Sequence, residues 1–244
     1  MTERFKDKIA VITGAGQGLG AEFAKEFAEE GAQVILLGRT GAKVERVAEE
    51  IRSKGLKAYA IQCDVSDNDQ VKAAFAEVEE KFGTTDILVN NAAYFKSSTV
   101  MDLSVEDWKR HIETNLYGSF FCIKAVLPAM VEKHYGKIIN LSSSGAKLFF
   151  PGFGGYAASK GGIVSLTQIL SEEVKDLGIN VNAIYLGMTN TEQTRARQGN
   201  DPAITVPLEE MMQVDEVAKS VQFLASDEAA PIMGAAIDVF GKKA

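Results

Sequence analysis

Short apolar runs rich in Val, Ile and Leu alternate with helix-length segments along almost the whole chain, and this alternation restricts the fold more than any other feature. The strand-like runs fall at 8–13, 33–37, 57–62, 86–90, 137–141, 180–185 and 235–239. Between them lie helical patterns such as 21–30, 44–54, 70–82 and 156–177. A strand that is apolar at successive positions, and not only at alternate ones, has to be covered on both faces. Helices between such strands supply that cover and return the chain to a parallel neighbour. The pattern predicts a single α/β domain over 1–244: a doubly wound, Rossmann-like parallel sheet of seven strands. Ser104 followed by Asp107 reads as a capping box opening a long helix that runs past Asn115. The stretch 187–206, rich in Thr, Asn, Gln and Arg, lacks periodicity, and a mobile substrate lid and an ordinary surface loop both fit it.

Bulk properties narrow the classes of function. The 244 residues, 46% hydrophobic and 24% charged, can bury a core without disulfides or metal. Cys63 and Cys122 sit in apolar segments, as in a reduced protein. With His111 and His134 the only histidines and no C-x-x-C pair, a structural zinc site is not expected. A net charge of −7 disfavours a nucleic-acid surface. No apolar run approaches the ~20 residues of a bilayer span, and the start MTERFKDKIAVITG does not read as a secretory signal. The expectation is a cytoplasmic protein that acts on a small molecule, without nucleic acid or membrane.

Thr13-Gly-Ala-Gly-Gln-Gly-Leu-Gly20 follows the first strand directly. Glycine permits the dihedrals of a tight turn and lets the backbone approach a pyrophosphate, which the following helix meets with free N–H groups. Two registers fit, G-x-G-x-x-A at 16–21 and T-G-x-x-x-G-x-G at 13–20; the second places Gly14 at the strand's end and makes Gln17, Gly18, Leu19 and Gly20 the phosphate turn. After the second strand, Gly38 offers no carboxylate to a ribose 2′-hydroxyl, whereas Arg39 and Lys43 lie just beyond. That favours NADP(H), with NAD(H) the alternative if Arg39 is only a solvated turn residue.

Tyr156 and Lys160 stand four positions apart in GGYAASKGG and share a helix face. An ammonium ~4 Å from a phenol supplies ~4 kcal/mol at an effective dielectric of ~20, about what it takes to bring a tyrosine from ~10 toward neutrality. Taken together, TGAGQGLG, Asp64-Val65, NNAA at 90–93, Asn115, IINLSSS at 138–144, YAASK at 156–160 and NAIYLGMTNT at 182–191 resemble the short-chain dehydrogenase/reductase family over nearly the whole chain.

The resemblance implies hydride exchange between a nicotinamide cofactor and an alcohol or ketone. It makes Ser143, Tyr156 and Lys160 the catalytic group, with Asn115 anchoring a proton-relaying water. It sets Asp64 and Val65 at the adenine, Asn90 on the adenosine side, Lys160 at the nicotinamide ribose, Gly187 beside the nicotinamide and Thr191 at its carboxamide. It also implies a homo-oligomer, usually a tetramer, built through the helices bearing Asn115 and Tyr156. Ala93, Leu186 and 239–242 depart from the family pattern. Tyr94, Phe95, Phe149, Phe150, Phe153 and Tyr185 suggest a bulky apolar or aromatic substrate, although core packing would use the same residues. Arg195 and Arg197 read either as solvated or as partners for an anionic group. A 3-oxoacyl carrier-protein reductase is the alternative enzyme, which Glu172, Glu173 and Asp176 beside one Lys175 disfavour as a docking face for an acidic carrier. A non-catalytic NADP(H) sensor is a further class, which has no use for a proton relay.

Overall fold

The computed structural model describes residues 3–199, 204 and 206–241. Seven strands, β1 (Ile9–Thr13), β2 (Gln33–Gly38), β3 (Ala58–Gln62), β4 (Ile87–Asn90), β5 (Gly136–Leu141), β6 (Ile179–Leu186) and β7 (Ala236–Val239), form one sheet. Its order is β3-β2-β1-β4-β5-β6-β7, and every neighbouring pair is parallel. The helices are α1 (Gly18–Glu29), α2 (Gly41–Ser53), α3 (Asn68–Phe82), α4 (Val105–His111), α5 (Gly118–Lys133), α6 (Gly154–Val174), α7 (Glu192–Arg197) and α8 (Val214–Ala225).

The two faces explain why the strands read as unbroken apolar runs. In β1, Ala10 and Ile12 join the core under α1, α2 and α8, while Val11 between them joins the core under α3, α5 and α6. The chain starts in the middle of the sheet, winds outward through β2 and β3, and then crosses to β4 on the other side of β1. The reversal opens a crevice at the carboxyl ends of β1 and β4, where open α/β sheets bind ligands.

Between α4 and α5 the helix widens into a π-helical turn, Ile112–Tyr117, which carries Asn115. Such turns cluster at functional positions because they rotate one side chain out of the regular ladder. Ser104 caps α4 as its sequence implies, accepting from the Asp107 N–H at 3.0 Å. The rod Val105–Lys133 is, by length and composition, long and apolar enough to cross a membrane, which the count of uninterrupted apolar runs does not register. Its apolar side packs on α3, β4 and β5.

The aperiodic stretch 187–206 is not wholly a loop. Thr191 caps the six-residue α7 by accepting from the Thr194 N–H at 3.1 Å, and a helix so short has no periodicity to read. Thr189 bridges Met212, so the stretch is tied to the segment ahead of α8.

The sheet positions the site through one hydroxyl. Buried Thr13 Oγ1 accepts from the N–H groups of Asn91 and Ala92, each at 3.0 Å, and donates to the Val89 carbonyl. Thr13→Val keeps the shape and leaves two amides unpaired. The expected loss is about 2–3 kcal/mol, a fall in melting temperature of roughly 5–10 °C for a chain of this length. An unchanged melting temperature in thermal unfolding would contradict this account of the turn.

Candidate active site

Gly14 has a φ of +67°, and a Cβ built on it would lie 2.9 Å from Ala92 Cα. A Cβ on Gly20 would lie 2.4 Å from the Gly14 carbonyl oxygen. Glycine at both points is what lets the turn press against the segment after β4, where the Asn91 amide donates to the Thr13 carbonyl at 2.8 Å. Gln17, the residue before α1, makes no side-chain cap, so the first amides of the helix face the crevice. The Gln17 side chain instead accepts from Lys43 Nζ at 2.7 Å.

Above this turn lies a cavity of about 670 Å³. Gly14, Gln17, Gly18, Leu19 and Gly20 line it, with Arg39, Asp64, Val65, Gly187 and Thr191. Ser143, Tyr156, Lys160, Tyr94, Phe150 and Phe153 line it as well. The structure therefore brings nearly all the sequence-predicted residues into one cleft. Gly18 lies 3.8 Å, by its built Cβ, from Thr191, joining the two segments expected to hold opposite ends of a dinucleotide. Arg39, Lys43, Arg110, Lys160 and Arg197 face the cleft against one acid, Asp64, an inversion of the chain's net negative charge. A glycine cradle, an uncapped helix end and this charge fit a nicotinamide dinucleotide.

Asn90, Phe149 and Asn115 do not line the cleft. The Asn90 side chain is buried in the sheet and donates to Asn140 Oδ1 at 2.9 Å, and its neighbours Asn91, Ala92 and Ala93 line the cleft. Phe149 is 84% exposed with φ +57°, and its left-handed backbone turns the ring to the surface, away from any substrate. Asn115 is fully enclosed, accepting from the Tyr94 N–H at 2.7 Å and donating to the Tyr94 carbonyl and Ser159 Oγ. It therefore ties three segments together. Its backbone carbonyl accepts from Ser119 Oγ at 2.8 Å.

Ser143 follows β5, and its Oγ accepts from the Gly145 N–H at 3.1 Å. Ser142 has a packing task, donating to the Lys160 carbonyl at 2.9 Å. Both Tyr156 and Lys160 lie in the first turns of α6. Lys160 Nζ donates to the Leu141 carbonyl at 2.6 Å and stands 5.9 Å from the centre of the Tyr156 ring. Burial holds Lys160 down to about 7. The Tyr156 phenol is pushed up by burial, and Ser143 and the Arg197 charge pull it only part of the way back. Lys160 is not among the groups that pull the phenol back down.

The aromatic wall also differs from expectation. Phe153 is 9% exposed and packs edge-on against Phe95 and Phe150, so it is mostly core. Phe95 meets Tyr156 at 4.8 Å between ring centres. Tyr94 has its hydroxyl on Asp107 at 2.7 Å and the Arg110 guanidinium over its ring. Tyr185 lies outside the cleft beneath Lys147. Arg195 donates to Asn190 Oδ1 at 2.8 Å, whereas Arg197 lies 4.4 Å above the Phe95 ring in the cleft. Gly187, after Leu186, donates its N–H to the Val239 carbonyl at 2.9 Å, and a Cβ on it would lie 2.9 Å from Phe240 Cα. The sequence reading missed Thr13, Asn91, Arg110 and Thr114, although Asn91 sits inside the quoted NNAA motif.

A buried lysine held near 7 makes a testable statement about stability. Folded Lys160 resists protonation, so its contribution is present above the ordinary lysine range and is lost as pH falls toward 7. Lys160→Met should therefore gain most over the native chain near pH 7, and the gap in melting temperature should shrink as pH rises to 10. A gap that is constant or grows with pH would contradict the burial of a titrating ammonium.

Comparison with known proteins agrees with this geometry. A family model for short chain dehydrogenases matches residues 8–201. The chain is 39% identical over 238 residues to the 3-oxoacyl-(acyl-carrier-protein) reductase FabG of Staphylococcus aureus, covering 96% of this chain and 97% of that one. It is 40% identical to the oxidoreductase UcpA of Salmonella typhimurium, covering 93% and 90%. Among solved structures, a 3-oxoacyl-(acyl-carrier-protein) reductase of Brucella melitensis with bound NAD superposes with a TM-score of 0.89 at 33% identity, covering 99% and 93%. An actinorhodin polyketide ketoreductase with NADPH does so at 0.90 and 32%, covering 99% and 98%. The chain belongs to the short-chain dehydrogenase/reductase family and is a nicotinamide-dependent oxidoreductase acting between CH–OH and C=O.

Proposed function

We propose that the protein works as a carbonyl reductase, preferring NADP(H), and that its substrate is a 3-oxoacyl group carried as a thioester. The observation that carries it is that Ser143, Tyr156 and Lys160 line the same cleft as the glycine turn. A ketone oxygen gains negative charge as hydride arrives at its carbon, and it needs an acid that still holds its proton. A phenol above its ordinary range is such an acid throughout the neutral region. A bound dinucleotide supplies the hydride from its reduced nicotinamide. Ser143 Oγ donates to the developing oxyanion, and Tyr156 Oη delivers the proton to it. Lys160, fixed on the end of β5, places a cation behind them and offers hydrogen bonds to a ribose.

Two facts support the acyl class over a bulky aryl ketone. Relatives named for 3-oxoacyl reduction match nearly end to end. Phe149 lies outside the cleft and Phe153 is largely taken up in aromatic packing at its edge, which removes part of the case for an aryl pocket. Phe95 and Phe150, which remain at the cleft, favour a bulky apolar ketone as the second reading. Lys175 is paired to Glu172 at 2.8 Å, so that end of α6 offers no basic face to an acidic carrier, and docking would use another surface. The exposed Val105, Trp108, Tyr117, Phe120 and Ile169 support a homo-oligomer through the long helices.

Coenzyme preference rests on Arg39, at the cleft beyond β2. Arg39→Ala should weaken NADP(H) binding about tenfold or more, as for a lost charge-assisted contact, and leave NAD(H) binding nearly unchanged in a fluorescence titration. Equal loss for both dinucleotides would contradict the assignment. Gly38→Asp is a poorer probe, because a Cβ there lies 2.7 Å from Val44 Cγ1.

Tyr156→Phe should lower kcat for acetoacetyl thioester reduction by ~10²–10⁴ while dinucleotide affinity holds. In the native enzyme the alkaline loss of kcat/KM that belongs to Tyr156 should come only above the ordinary tyrosine range, and Tyr156→Phe should remove it. Near-normal turnover by Tyr156→Phe would show that the proton comes from elsewhere. Aryl ketones outranking the thioester would move the substrate to the second reading.

A further inference from the structure

His111 closes α4 where the π-helical turn begins, and its side chain is fully enclosed. Its ring centre lies 5.0 Å from that of Tyr94 and 6.2 Å from that of Tyr156. Nε2 accepts a hydrogen bond from the Lys96 backbone N–H at 3.2 Å. A nitrogen that accepts carries no proton, so in the neutral ring the proton sits on Nδ1. Nδ1 is buried without a partner at hydrogen-bonding geometry; it faces the Asp107 carbonyl one turn back and Gly155, where a Cβ would come within 2.8 Å of it. A buried orphan donor costs stability, and an apolar side chain in its place would not.

What Nε2 holds is the segment that carries Phe95. The Lys96 amide follows Phe95 directly, and Phe95 stands edge-on to Tyr156 at 4.8 Å and to Phe153 at 5.0 Å. We propose that neutral His111 is a positioning residue for the reaction, clamping the 94–96 segment through Lys96 so that Phe95 fixes the Tyr156 ring. The proposal rests on the reading of Tyr156 as proton donor. Protonation would turn Nε2 into a donor facing another donor, and the clamp would open. Burial is the strongest influence against that proton, Lys96 and Arg110 add to it, and the Asp107 carboxylate opposes it; the net is a histidine below its ordinary range. Tyr94 and Tyr156, the other titratable groups against the ring, are both neutral at that pH. The clamp therefore stays shut at neutral pH and opens on acidification.

The test pairs spectroscopy with kinetics. Since His111 and His134 are the only histidines, long-range ¹H–¹⁵N spectra of the whole protein, assigned with His134→Gln, read the tautomer directly. The expected result is an Nδ1–H ring that gains its second proton only below ~6.5. His111→Leu, which cannot accept, should lower kcat ~10–100-fold, the scale of a misplaced reacting group, with dinucleotide affinity unchanged. His111→Gln, whose Oε1 accepts but does not titrate, should restore kcat and abolish the fall in kcat at acid pH. If His111→Leu does not fold, His111→Gln decides alone, and an acid limb that survives in it overturns the proposal. So does an Nε2–H tautomer, or a His111→Leu enzyme with native kcat. If Tyr156→Phe keeps its turnover, the underlying reading fails and takes the proposal with it; if only His111→Leu does, the proposal fails alone.

Discussion

The cleft depends on how closely the glycine turn after β1 approaches the segment after β4. Gly14 sits in the left-handed region with Ala92 against it, and Gly20 sits against Gly14. Thr13 and Asn91 hold this contact with three short hydrogen bonds. Because both strands end there, the same contact aims the first amides of α1 and the 91–95 segment at one point. Any Cβ at the contact forces the two strand ends apart, and the phosphate cradle and the substrate wall would separate together.

Charge and burial then divide the work within the cleft. Arginines and lysines line it in a chain that is otherwise acidic. Deeper in, burial dominates: it pushes the Lys160 ammonium down and the Tyr156 phenol up.

The seven strands, their parallel arrangement and most of the cleft were legible in the sequence, because covered strands and a glycine turn leave strong local signals. Strand bounds read from pattern differ from the observed ones by a residue or so; the strand expected at 57–62 is Ala58–Gln62. What was not legible is direction. Asn90 and Asn91 are chemically identical neighbours, and the pleat sends the first into the sheet. Phe149 is aromatic and close to the site in sequence, yet one left-handed residue turns it outward. The i, i+4 spacing set Tyr156 and Lys160 on one helix face correctly, but spacing carries no information about the Leu141 carbonyl that the ammonium also meets. His111 gave no sequence signal at all, since a lone histidine in a helix is uninformative until its neighbours are known.

The account turns on whether hydride passes to a substrate carbonyl in this cleft. The most direct measurement is reduction of an acetoacetyl thioester with NADPH carrying deuterium at the transferable C4 position, followed by mass spectrometry of the product. The account predicts a 3-hydroxyacyl thioester with one deuterium on its carbinol carbon. Product without that deuterium, or no reduction of any carbonyl compound by enzyme that binds the dinucleotide, would contradict it.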